Sequence, residues 1–152
     1  QFASGALTLS GANASLHIQN EKGTPVAVVA SDTAGHGRFQ IAEASGNIMS
    51  EMKMLPGIGG GIVVNSSTGK QMGVLAATDE GGRLNLMNAN GVPIFVASTV
   101  RNTGGGAMIV ANQRGIPVVI VKSDEEHHGI IEITDEDGNG VRRMRPIRGY
   151  SP

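Results

Sequence analysis

The chain has 152 residues, a formal net charge of −1 and only 3% aromatic residues, a balance with no field for nucleic acid and little surface for stacking on bases. It has no cysteine, which removes disulfides and thiol catalysis and leaves the redox compartment unassigned. No apolar run reaches the length of a membrane-spanning helix, so membrane insertion and nucleic-acid binding are not expected.

Residues 1–11 hold one strand, Ala6-Leu7-Thr8-Leu9, followed by Gly11 and no return strand. Gly5, Leu7 and Leu9 match the first half of the unit that follows. An unpaired strand edge must be satisfied. Two partners are open: the first hairpin of the same chain, or the next subunit by strand addition. Leu7 and Leu9 are therefore assembly candidates. The chain starts at Gln1 without methionine, as a processed or a trimmed chain does.

Residues 12–149 read as one domain of six tandem β-hairpins, with 150–152 as a tail. The fourth unit shows the pattern best. Leu84 and Leu86 alternate with Asn85 and Met87, Asn88-Ala89-Asn90-Gly91 forms a turn, and Ile94 and Val96 alternate on the return. The turn reads as a type I turn closed by a glycine at φ > 0, the G1-bulge connection. Folding about it places Leu86 opposite Ile94 and Leu84 opposite Val96, all four on one face. The turn glycines are Gly23, Gly46, Gly69, Gly91, Gly115 and Gly138, at spacings of 23, 23, 22, 24 and 23 residues. Three residues earlier stand Asn20, Glu43, Ser66, Asn88, Asn112 and Asp135, five of them types that bond the backbone ahead. Val28, Val74, Val96 and Ile120 are expected buried with their partners across the turn. Glu51 and Arg143 break the apolar pattern. Gly91 and Gly115 are expected at positive φ, and Gly57 is expected to matter much less.

Nine residues before each turn glycine stand Ala14, Gly37, Gly60, Gly82, Gly106 and Gly129, which suggests a tight bend or close backbone approach. Pro25, Pro93 and Pro117 sit two residues after a turn glycine, where proline requires an edge or a break in the ladder. The second unit crowds Met49, Met52 and Met54, either as a repacked hairpin or as an adaptable contact patch. Seven acids cluster between Asp124 and Asp137, and four arginines follow at Arg142, Arg143, Arg145 and Arg148. They pair across the last hairpin, or meet a neighbour end to end; Arg142, Arg145 and Arg148 are the assembly candidates.

Chemistry-bearing clusters are few. Asp135-Glu136-Asp137-Gly138-Asn139-Gly140 matches the start of an EF-hand loop, with Asp135, Asp137 and Asn139 as weak calcium candidates. The match then fails, because Arg142 and Pro146 stand where an apolar residue and the bidentate glutamate belong. Glu125, Glu126, His127 and His128 have zinc-ligand chemistry, yet adjacent strand histidines point to opposite faces. No serine lies in a nucleophile elbow, and the glycines around Gly59 are not followed by a P-loop lysine. No cofactor and no catalysis are expected.

An isolated hairpin is marginal, so six of them must close on one another or on other chains. The expected architecture is all-β: the repeats plus the extra strand stacked as a β-prism or β-helix-like fibre built from several chains. A β-trefoil is the alternative, since two 23-residue units approach one lobe. The tandem pattern G-x-L-x-L-x-N-x-x-G-x-P-V-x-V, from Gly5 to about Pro146, resembles the glycine-punctuated repeat modules of trimeric fibres, phage tail fibres and bacterial surface fibres among them. The resemblance implies an extracellular or virion-surface structural protein that self-associates as a trimer or filament. Surface glycans are the other partner class considered, through a lectin-like trefoil.

Overall fold

The computed structural model describes residues 14–101, 103–126 and 128–144. Twelve strands follow one another: β1 Ser15–Gln19, β2 Pro25–Ser31, β3 Gly37–Ala42, β4 Ile48–Leu55, β5 Gly59–Asn65, β6 Gln71–Thr78, β7 Gly81–Met87, β8 Pro93–Thr99, β9 Gly106–Ala111, β10 Pro117–Ser123, β11 Gly129–Thr134 and β12 Gly140–Met144. Every pairing is antiparallel and joins chain neighbours, so the strands form one sheet in the order β1 to β12. The all-β class and the six hairpins expected from the repeat are both present. A trefoil divides its hairpins between barrel and cap, whereas here each strand pairs only with its chain neighbours.

The six repeat turns share one geometry. In the fourth, Gly91 N–H donates to the Asn88 carbonyl (2.8 Å), and Asn88 N–H donates to the Val92 carbonyl (2.9 Å). The Asn88 side-chain oxygen accepts from the N–H groups of Asn90 and Val92, which fixes the turn from inside. Gly91 and Gly115 take φ of +80° and +83°, the region expected for the closing glycine. Gly57 also takes a positive φ, +69°, and so shares the backbone penalty, but an added Cβ there would meet nothing within 4 Å, against 3.2 Å from Lys70 at Gly91 and 2.8 Å from Val92 at Gly115.

The register differs from the simple fold-back in one respect. Beyond the turn, Leu86 faces Phe95 and Leu84 faces Ala97, while Met87 faces Pro93. Ile94 is the unmatched residue of a β-bulge, which flips the alternation of everything after it. The same shift occurs in all six hairpins, at Val26, Met49, Met72, Ile94, Val118 and Val141. The expected quartets are therefore split: Val28, Val74, Val96 and Ile120 lie on the face opposite Leu16, Ile62, Leu84 and Met108, and are half-buried. Pro25, Pro93 and Pro117 begin their strands at these shifts, where no ladder bond is lost.

Candidate assembly surface

Following the register across the sheet gives two faces of opposite chemistry. On one, a row runs Leu16, Val29, Phe39, Met52, Ile62, Leu75. It continues Leu84, Ala97, Met108, Val121, Ile131, Met144 to the last strand. A second row beside it runs Ile18, Ala27, Ile41, Ser50, Val64, Gly73, Leu86, Phe95, Val110, Val119 and Ile133 before ending at Arg142. We call this the apolar face. Arg142 is its single charged residue in these two rows.

The other, mixed face carries His17, Val28, Gln40, Glu51, Val63 and Val74, then Asn85, Val96, Ile109, Ile120, Glu132 and Arg143. Glu51 and Arg143, the residues that break the apolar pattern, belong to this face once the bulge is counted. Here Gln40 donates to Glu51, which also pairs with Lys53. Glu132 sits between Lys122 (3.5 Å) and Arg143 (3.1 Å). These contacts satisfy buried or half-buried charge within the chain.

Burial reverses what polarity suggests. The buried side chains among the described residues, Val63, Ala76, Ile130, Gln40 and Glu51, all lie on the mixed face, while Gly73, also buried, lies on the apolar one. The exposed large hydrophobics, apart from Ile58 in a turn, all lie on the apolar face; Ile18 is 59% exposed and Met52 53%. Arg38, Lys53, Arg83, Lys122 and Arg143 all stand on the mixed face, and long stems of this kind shield apolar neighbours. Among the described residues, nothing covers the apolar face.

A third row borders the apolar face. Gly37, Gly60, Gly82, Gly106 and Gly129 face Ser31, Met54, Ala77, Thr99 and Ser123. None of these glycines has a φ in the left-handed region, and a Cβ added at any of them would meet no atom within 4 Å. The expected tight bend or close approach within the chain is thus corrected: the space above this row is open.

At the opposite margin, side chains chain the repeat turns together. Asn20 Nδ2 donates to the Ala44 carbonyl (3.2 Å), Asn47 Nδ2 to Ser67 (3.0 Å), and Lys70 Nζ to Ala89. Asn88 Nδ2 then donates to Gln113 (3.1 Å) and Asn112 Nδ2 to Glu136 (2.9 Å). The acceptor is always the second turn residue. The donor is the first turn residue where that is asparagine, and otherwise the fifth. This alternation is legible in the sequence and was not anticipated.

The remaining candidates are local. Asp135 accepts from the N–H groups of Asp137 and Asn139 and from Asn139 Nδ2, while Asp137 pairs with Arg114 at 3.0 Å. These bonds are those of the other repeat turns, with aspartate replacing asparagine. Asp124, Glu126 and His128 bring ligand atoms within 4.8 Å of one another, a set different from the expected one. Asp124 accepts from Glu126 and His128 N–H as Asp32 accepts from Ala34 and His36, so turn geometry accounts for the grouping. Leu7, Leu9, Arg145, Arg148 and His127 lie outside the described residues. Among the described residues, no helix is long and apolar enough to cross a membrane. No protein-family model matches the chain, and the search of characterised proteins finds no similar sequence.

Proposed function

We propose that this chain is a structural, non-catalytic subunit of a fibre or filament on an extracellular or virion surface, assembled from copies of itself as a trimer or longer array. One observation carries the reading: two largely apolar rows cross the full twelve-strand sheet, and most of their large side chains stand exposed. An uncovered apolar surface of that extent marks an interaction site. The repeat supports it further, because near-identical units at a fixed spacing suit a quasi-one-dimensional stack.

Light scattering and electron microscopy of the chain at micromolar concentration test the proposal. Trimers or elongated particles are expected. A stable monomer at that concentration overturns it.

A further inference from the structure

We infer that the apolar face is the contact surface between copies of this chain, its occupant being the same face of a second copy. The inference rests on the fibre reading and names the surface that makes the contact. The face is the right size. Twelve strands about 4.8 Å apart and two residue rows about 14 Å wide present roughly 800 Å², which is the share of one partner in a standard protein interface.

Its width also selects the occupant. A lipid-facing strand carries about 9–11 residues and an apolar band about 25 Å tall. The strands here have five to eight residues, and the two apolar rows are bordered by the glycine row on one side and polar turns on the other. The surface is therefore too narrow for a bilayer and wide enough for a packed sheet. A second copy offers the same step from strand to strand, so apolar rows, broken by Ser50 and Gly73, meet apolar rows from the first strand to the eleventh. Apart from Arg142 on the last strand, no charge is buried by that contact.

The glycine row supports the same arrangement. Neither backbone conformation nor neighbouring atoms require glycine at Gly37, Gly60, Gly82, Gly106 or Gly129 within one chain. A second copy seated on the face brings its own side chains over this open margin, where a Cβ would stand in the way.

The experiment compares the faces by light scattering, with circular dichroism reporting the strand content. Gly82→Leu is expected to keep the fold and lower the assembled fraction, because its new side chain has room in one chain and none between two. Leu75→Asp is expected to dissociate the assembly, while Arg83→Asp on the mixed face leaves the particle mass unchanged. Should Leu75→Asp unfold the chain, thiol labelling decides instead, since the protein has no cysteine of its own. Leu75→Cys should react more slowly in the assembly than after dilution to monomer, because reaction then waits on local opening of the contact, and Arg83→Cys should react equally in both. Assemblies in which Arg83→Cys is protected and Leu75→Cys is not overturn the assignment of the face but leave the fibre reading intact. A wild-type monomer that floats with phosphatidylcholine vesicles overturns both and makes the face a lipid contact.

Discussion

The two margins of the sheet are built differently. At one margin, six turns of a single geometry succeed each other, each tied to the next by a side chain bonded to the second carbonyl. At the other, the connections vary. Asp32–His36 and Asp124–His128 reuse the bonds of a repeat turn but no bulge follows them, whereas Leu55–Gly59 is closed by Ile58 N–H on the Leu55 carbonyl, and Thr78 pairs with Gly81 across a two-residue turn. A single-layer sheet has almost no core to fix its strands, so the repeated margin carries that task. Turn chemistry and bulge together set the register, because a slip of one residue would exchange the two faces. The variable margin only has to reconnect strands already placed.

The sharpest way to break the comparison is to place a side chain at a repeat turn glycine. Gly115 combines φ of +83° with an added Cβ only 2.8 Å from Val92 Cγ1. Gly115→Val should cost about 2–4 kcal/mol, the left-handed penalty plus a displaced Val92. Gly23→Val has the same φ penalty and open space, and should cost less. Denaturant midpoints of the two variants check this; equal losses would show that stacking between turns contributes nothing.

Next in size is the tie itself. Asn112 accepts from Arg114 and Ile116 N–H within its turn and donates to the Glu136 carbonyl beyond it. Asn112→Ala removes all three bonds and should cost about 1–2 kcal/mol, given a net 0.5–1.5 kcal/mol for each bond and partial replacement by water. Asn112→Asp keeps the turn acceptor and loses the donor. It should recover most of the loss if the turn dominates, and little if the tie does; unfolding measurements read the split.

These residues also show what could be learned before any coordinates. Period, turn type and glycine positions were all legible, since each depends on a few adjacent residues whose conformational preferences are local. The face assignment was not. The G1-bulge turn at Asn88–Gly91 accounts for Met87 facing Pro93, and straight alternation from there pairs Leu86 with Ile94, but a second bulge just beyond leaves Ile94 unmatched. Glu51 and Arg143 were the signal, because two charges in an otherwise apolar set indicate that the set mixes faces. The cross-turn ties were missed for a different reason. They connect residues 19 to 25 positions apart and need two turns compared at once.

The variable margin should accept change more readily. Five glycine and serine residues inserted after Ala34 double the Asp32–His36 connection, and doubling a loop costs about 0.6 kcal/mol in closure entropy. The loss of the Asp32 turn bonds, all of them exposed, adds modestly. The same insertion after Asn90 would disrupt a repeat turn and the two ties through it, and should cost clearly more. Thermal unfolding of the two insertion variants tests this; comparable losses would remove the distinction between the margins.

The smallest expected effect is acid sensitivity, and it reaches both margins. The Asp32 carboxyl lies below its ordinary value of 3.8, chiefly because His36 N–H donates to it. Glu43 lies below 4.5 through the Ser45 hydroxyl and the Asn47 amide. Asp135 lies below 3.8 through the Asn139 side-chain amide and then the Asn139 N–H. A carboxyl whose folded value is depressed favours the folded state at every pH above its unfolded value. That contribution declines as pH falls below about 4.5 for Glu43 and 3.8 for the two aspartates, and is gone below the folded values. Stability should therefore be level in these terms near neutrality and decrease toward pH 3. Asn20, Asn88 and Asn112 perform the Asp135 role without a charge, so Asp135→Asn should keep the turn and remove its share of the pH dependence. Asp32→Asn should do the same at the variable margin. Denaturant midpoints measured from pH 7 to pH 3 for the wild type and the double variant are the test. The double variant should lose less stability over that interval, and an unchanged acid slope would mean that neither turn carboxylate favours the folded state.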